Sequence, residues 1–308
     1  MKGGCVAGGV WHLVNRYPVP APRWNLLVDP DGNTVSSLGG LRLRRCVDLP
    51  DWGCLVVVYR GIREGVIAVT SSTSWWPVTP DGDVASWRIG RVDGTSCELI
   101  RIDVDGSTTT ATWSPDSGLH HIADPDAECA WEASLVSWDA PGGQLEGMLA
   151  TPHGTGPWPL VVYLHPSPWF GISAGDQGDA AYWTRRSVAL FQPDYAGSGI
   201  LGEEMMWEPL RGIGMPERDL DADGVLAGVH TLIHTGIADP RRLYVYGFSA
   251  GGYLTTGSSP GHIHSRPQRR GKEQSIPDTF QLTLWPFKSS GAAAHLKKTP
   301  IFGQQQRR

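Results

Sequence analysis

The stretch Leu243-Tyr244-Val245-Tyr246-Gly247-Phe248-Ser249-Ala250-Gly251-Gly252-Tyr253 leaves the chain few conformational options. Four apolar or aromatic residues suited to a buried strand run without an intervening loop into Gly-x-Ser-x-Gly. Residues able to start a helix follow at once. A serine between two glycines at such a junction is the layout of a nucleophile elbow. The turn must be sharp enough to expose the Ser249 hydroxyl, and side chains at Gly247 and Gly251 would clash there. Gly252 lets the following helix pack close to the strand. Five residues of pattern are weak evidence alone, and the chain holds a second match, Gly171-Ile172-Ser173-Ala174-Gly175. Context separates the two. Ser173 follows Pro166-Ser167-Pro168-Trp169-Phe170, which reads as loop, whereas Ser249 follows a strand. A tight strand–helix turn without chemistry is the alternative reading of Ser249.

Composition narrows the classes. The 308 residues are 40% hydrophobic and 19% charged, a globular balance. A net charge of −5 gives no basic footprint for nucleic acid. No apolar run approaches a membrane span, and Met1-Lys2-Gly3-Gly4-Cys5 lacks the apolar core of a signal peptide. The five cysteines are odd in number, scattered and without metal-ligand spacing, so they read as free thiols of a reducing compartment. A soluble cytoplasmic protein is expected, with neither metal nor cofactor. The charge is unevenly spread. Residues 257–308 carry nine Lys and Arg against two Asp and Glu, so the rest of the chain is acidic.

Residues 1–132 read as all-β. Apolar or β-branched runs at Cys54–Tyr59, Gly65–Thr70, Val84–Ile89 and Glu98–Val104 alternate with turn formers such as Asp29-Pro30-Asp31-Gly32 and Val92-Asp93-Gly94. At about 40–45 residues per four-stranded unit, roughly three propeller blades fit, fewer than a closed propeller holds. A small sandwich is the alternative. The frequent tryptophans (Trp11, Trp24, Trp52, Trp75, Trp76, Trp87, Trp113) suit blade packing, with ligand stacking as the other use. Residues 131–152 read as a hairpin about Asp139–Gly143. The continuous apolar run Pro159–Leu164, helical residues Asp179–Arg186, a buried strand Ser187–Gln192, a helix Glu217–His234 and the strand Leu243–Tyr246 then have the rhythm of a parallel α/β sheet.

Residues from about 133 to 256 resemble the N-terminal half of the catalytic domain of the prolyl oligopeptidase family of serine peptidases, which includes dipeptidyl-peptidase IV and acylaminoacyl-peptidase relatives. Pro159–His165 is similar to the family strand that enters an oxyanion loop. Pro193-Asp194-Tyr195-Ala196-Gly197-Ser198-Gly199 is similar to its Arg-Gly-Ser-x-Gly loop. Asp239-Pro240-Arg241-Arg242-Leu243 with Gly247–Tyr253 is similar to its nucleophile region. The resemblance implies an α/β hydrolase, here partial, with its parallel sheet ending near the elbow strand. An all-β, partial propeller-like segment precedes it. Three regions follow: 1–132, 133–256, and a divergent basic tail at 257–308.

The resemblance further implies hydrolysis of peptide bonds through an acyl-enzyme. Ser249 would be the nucleophile, with the Ala250 N–H and the loop at His165 as oxyanion donors. His165-Pro166-Ser167-Pro168 departs from the family's His-Gly-Gly-Pro, because Pro166 brings no N–H and holds His165 extended. A structural histidine is the alternative there. In this fold the carboxylate and histidine follow the serine in sequence. Beyond Ser249 stand only Asp278, His262, His264 and His295, none at the end of a convincing strand. The nearest candidates are Phe280–Leu284 and Ala292–Leu296. The chain is therefore expected to be impaired by loss of the triad Asp and His, through truncation or a frame change. A disordered native extension and a basic interaction arm are the other readings of the tail. An esterase, or a non-catalytic fragment or pseudo-enzyme, are the other readings of function. The expected partner is a peptide substrate, without nucleic acid or membrane.

Overall fold

A computed structural model describes residues 9–16, 25–38, 41–82, 84–123, 131–166, 170–175, 178–202, 207, 220–247, 250–257 and 283–284. The first part is built of antiparallel meanders. Strands β1 (His12–Asn15) and β2 (Asn25–Val28) form a two-stranded ribbon. β3 (Arg42–Leu49), β4 (Gly53–Arg60), β5 (Arg63–Val69) and β6 (Trp75–Pro77) pair in chain order. So do β7 (Ala85–Asp93), β8 (Ser96–Asp103), β9 (Thr108–Ser114) and β10 (Gly118–Ala123). Each four-stranded sheet has the form of one blade, and the described residues contain no closed propeller. The tight turns fall at glycines with left-handed backbone, such as Gly61 (φ 65°) and Gly94 (φ 59°), where a Cβ would be strained.

Tryptophan packing dominates between these sheets. Trp87 and Trp113 are buried with Leu55, Val57, Val66 and Leu99 in one core that joins the two four-stranded sheets. Trp52 meets Trp113 edge to face at 5.2 Å. Trp11 closes a second core with Leu27, Leu43 and Val56. These residues serve packing, as the blade reading expects, and only Trp76 of the described tryptophans is largely exposed.

The second part is a mixed six-stranded sheet in the order β11-β12-β14-β13-β15-β16. β11 (Glu132–Ala140) and β12 (Gly143–Thr151) form the hairpin read from the sequence, closed by Pro141-Gly142 with Gly142 at φ 97°. β12 runs antiparallel to β14 (Ala189–Pro193). β13 (Trp158–Leu164) lies parallel to both β14 and β15 (Ala238–Gly247). Their continuous apolar character follows from burial on both faces. Beyond β15 the two-residue β16 (Thr283–Leu284) pairs antiparallel with Tyr244 and Val245. The sheet therefore carries one further short strand past the position where it was expected to end.

Among the described residues, helices α1 (Ala180–Thr184), α2 (Leu220–His234) and α3 (Ala250–Gly257) flank the sheet. α2 buries Val225, Val229 and Leu232 in a core with Leu160, Val162, Phe191 and Val245. Two glycines let it approach closely. A Cβ at Gly228 would lie 2.9 Å from the Trp138 ring and 3.0 Å from Phe191, and the Gly224 carbonyl accepts the Trp138 indole N–H at 2.9 Å. Trp138 and Phe191 in turn meet edge to face at 5.3 Å, a geometry that adds about 0.5–1.5 kcal/mol beyond area burial.

The blade sheets and the mixed sheet meet along a fourth apolar cluster, of Ile62, Met148, Ile172, Ala174 and Ile200. The Ala174 N–H donates to the Ile62 carbonyl at 3.2 Å, and the Gly175 N–H to Ser86 Oγ at 2.8 Å. Arg63 pairs with Glu146 at 3.0 Å at the edge of this contact. The segment Phe170–Gly175 is thus pinned between the two parts. Ser173, centre of the second Gly-x-Ser-x-Gly, is buried within it, in a stretch that is neither strand nor helix.

Candidate active site

The carboxyl ends of adjacent parallel strands are where loops converge in an open α/β sheet. β13 ends at Leu164 and β14 at Pro193, and the residues that follow are His165 on one side and Asp194, Tyr195 and Ser198 on the other. The parallel register pairs Leu160 with Ala189 and Val162 with Phe191, so the two ends finish side by side. The consequence is a polar cluster in an apolar setting. His165 Nε2 lies 2.8 Å from Ser198 Oγ and 3.4 Å from Asp194 Oδ1. His165 is 1% exposed, and Asp194 and Ser198 are fully buried.

The imidazole is held from three sides. Its Nδ1 sits 3.3 Å from the Pro166 carbonyl. A carbonyl only accepts, so in the tautomer with its proton on Nδ1 the ring donates there, and Nε2 is then an acceptor for the Ser198 hydroxyl. Tyr195 stacks on the ring with centroids 4.3 Å apart, and its hydroxyl donates to the His165 carbonyl at 2.8 Å. Burial pushes the Tyr195 phenol above its usual range, with the charges of Asp221 and Asp194 adding to the rise. It therefore stays a donor.

Asp194 is held as firmly. Its N–H donates to the Glu146 carbonyl and its Oδ1 accepts the Ile172 N–H, both at 2.9 Å. Burial raises its carboxyl above the ordinary range, opposed by His165, the Ile172 N–H and Ser198. The Ser198 N–H donates to the Tyr195 carbonyl at 2.9 Å, a turn that aims its Oγ back at the ring. In that tautomer Nε2 can take the Ser198 hydroxyl proton, and a carboxylate beside the same nitrogen stabilises the resulting positive charge.

This cluster corrects the expectation that the chain is impaired by loss of a triad Asp and His. A serine, a histidine and an aspartate are brought together, at the two distances given above. The doubt about activity that rested on their loss falls with it. That expectation searched only downstream of Ser249, at Asp278 and His295, both outside the described residues. The pair stands upstream, and its members are neighbours only because two strands are parallel and adjacent. His165, read from the sequence as an oxyanion-loop or structural residue, has its side chain turned to Ser198 and Asp194. Asp194 and Ser198 were noticed only as part of a loop motif. The polar run Asp194–Ser198 directly after a buried strand was the signal that could have found them.

The elbow is described in part. β15 ends at Gly247 and α3 begins at Ala250, while Phe248 and Ser249 lie outside the described residues. The glycines meet backbone at short range. A Cβ on Gly247 would stand 2.5 Å from the Gly251 carbonyl carbon, and one on Gly251 only 2.1 Å from the Leu164 carbonyl oxygen. A Cβ on Gly252 would lie 3.2 Å from the Gly247 carbonyl oxygen. Among the described residues no group of three or more His, Cys, Asp or Glu side chains is placed to hold a metal ion. No described helix is long and apolar enough to cross a membrane.

Comparison with known proteins agrees with this architecture. The Pyrococcus horikoshii acylaminoacyl peptidase structure superposes with a TM-score of 0.63 at 11% identity, over 80% of this chain and 42% of that one. A Mycobacterium tuberculosis puromycin-hydrolyzing peptidase gives 0.52 at 23% identity, over 71% and 35%. Trypanosoma brucei oligopeptidase B gives 0.57 at 16% identity, over 75% and 36%. At these identities the likeness is one of fold, and the chain spans less than half the length of each. No curated protein matches the sequence. Residues 176–259, a segment that includes Asp194, Ser198 and Ser249, match the prolyl oligopeptidase family.

Proposed function

We propose that the chain is a serine hydrolase that cleaves peptide bonds by acyl transfer, with His165 as its general base. The observation that carries this reading is the 2.8 Å approach of His165 Nε2 to Ser198 Oγ, with Asp194 Oδ1 at 3.4 Å from the same nitrogen. The serine oxygen bonds to the carbonyl carbon of the substrate and its proton passes to Nε2. The C–N bond then breaks, and the departing amine takes that proton. Water, deprotonated by the same nitrogen, releases the acyl group and restores the serine. Asp194 stabilises the imidazolium in both halves. Ser198 is fully buried, and its loop is tied to Phe170–Gly175 by the Ile172 N–H to Asp194 and the Gly199 N–H to the Phe170 carbonyl. Peptide substrates are supported by the family match, and a cytoplasmic setting by the free thiols of Cys46, Cys54 and Cys97.

A second reading of the nucleophile is favoured by a separate observation. Ser249 lies within the family match and follows β15, whose carboxyl end is beside that of β13. In that reading Ser249 attacks, and the Ala250 N–H and the His165 loop receive the oxyanion. Labelling the full chain with a fluorophosphonate and mapping the modified peptide tests both. Label on Ser198, lost in Ser198→Ala and weakened in His165→Ala, supports the first. Label on Ser249, lost in Ser249→Ala, supports the second. A folded sample that takes no label at all would sink both.

A further inference from the structure

His230 and His234 sit one turn apart on the exposed face of α2, opposite the side that packs on the sheet. Positions i and i+4 of a helix point the same way. The two imidazoles already face each other, with centroids 6.5 Å apart and planes within 29°. The backbone that spaces them is rigid, because α2 is anchored by Val225, Val229 and Leu232 in the core.

We propose that this pair is a two-coordinate chelating site for a borderline divalent transition ion, Cu²⁺, Ni²⁺ or Zn²⁺. Imidazole nitrogens bind such ions at about 2.0–2.1 Å, and a helix that presents two of them spends little entropy in closing the chelate. Rotation about χ1 and χ2 brings both nitrogens onto one ion. Solvent fills the remaining positions. Two features of the helix favour positive charge there. His234 is the last residue of α2, where the carbonyl ends of the helix carry the negative pole. Asp223 is exposed on the same face, about 10 Å back along the axis, too far to ligate but near enough to add negative potential. Among the described residues no carboxylate joins the pair as a third ligand, and hard ions such as Mg²⁺ and Ca²⁺ require several oxygen ligands. Occupation of the site staples the C-terminal turn of α2 against fraying.

The test uses the full chain stripped of metal. Titration with Cu²⁺, Ni²⁺ and Zn²⁺ is followed by calorimetry for wild type, His230→Ala, His234→Ala and the double variant. Because the chain holds eight other histidines, Zn²⁺ protection against diethyl pyrocarbonate is read peptide by peptide. Zn²⁺ should protect His230 and His234 together, and removing either should expose the other. Each single variant should lose at least the roughly 10–100-fold in affinity that loss of an outer-shell partner costs at metal sites. Binding should be tightest for Cu²⁺ and undetectable for Mg²⁺. Equal modification of both histidines with and without Zn²⁺, or unchanged titration of the double variant, would overturn the site. Both substitutions are at exposed positions, so folding does not confound them.

Discussion

The rings of His165 and Tyr195 lie face to face, 4.3 Å apart and within 10° of parallel, while the Tyr195 hydroxyl returns to the carbonyl of His165 itself. One residue thus fixes both the plane of the imidazole and the backbone that carries it. Tyr195→Phe keeps the stack but leaves the buried His165 carbonyl without its donor. The expected cost is about 1–3 kcal/mol, the usual penalty for an orphaned buried acceptor. Urea unfolding measures it, and an unchanged midpoint would show that the bond carries no stability.

Removing the base should cost more in rate than in stability. His165→Ala is expected to lower turnover of a peptide ester or amide by about 10²–10⁴-fold, the usual share of general acid–base catalysis. Single-turnover kinetics reads the effect, and a variant within threefold of wild type would remove His165 from the chemistry.

Asp194 links pH to stability with a definite sign. Burial raises its folded pKa, so the folded protein holds that proton more tightly than the unfolded chain. Its contribution is full below the unfolded value, about 3.9, and is lost as pH rises through the raised folded value. Asp194→Asn, neutral throughout, should therefore gain stability relative to wild type as pH climbs above about 4, while losing acyl transfer. Denaturation midpoints across pH show the crossing, and a difference independent of pH would contradict it.

The glycines of the strand–helix junction should differ sharply in tolerance. Gly251→Ala drives a Cβ to 2.1 Å from the Leu164 carbonyl oxygen, a backbone atom that cannot step aside. Gly252→Ala meets the Gly247 carbonyl at 3.2 Å, where a few tenths of an ångström suffice. The first is expected to cost more than the 1–3 kcal/mol of ordinary overpacking and the second to stay within it. Comparable thermal midpoints for the two variants would be the failing outcome.

Asp239 provides a second pH dependence of opposite sign. The Arg241 N–H, then the Arg241 and Arg242 side chains, hold its carboxyl down to about 2. The stability it adds is complete above the unfolded value, about 3.9, and disappears as pH falls through about 2. Asp239→Asn should flatten that acid limb, as measured by fluorescence-detected unfolding between about pH 2 and pH 5.

Local sequence was sufficient wherever the physics is local. The apolar runs at Cys54–Tyr59 and Pro159–Leu164 became β4 and β13, because a run of β-branched and aliphatic side chains is stable only inside a sheet. The helix read at Glu217–His234 is observed from Leu220, with Val225, Val229 and Leu232 turned inward as their spacing requires. Thr108–Ser114 passed unnoticed because its strand is built of threonines, with little apolar contrast to mark it. The pattern Gly247–Gly252 could be read as a close approach of backbones, since only glycine tolerates the distances found there.

What only the tertiary structure decided is the company that His165 keeps. Thirty-three residues separate it from Ser198, and no periodicity spans that gap. A search confined to one expected sequence order looked for the partners downstream of Ser249 and found no convincing pair there. The parallel pairing of β13 with β14, fixed by hydrogen bonds between Leu160–Val162 and Ala189–Phe191, placed them upstream. Strand identity is written in side chains along one segment. Which strand ends meet depends on pairing register and shared burial between distant segments, and on that meeting the serine, histidine and carboxylate of this protein depend.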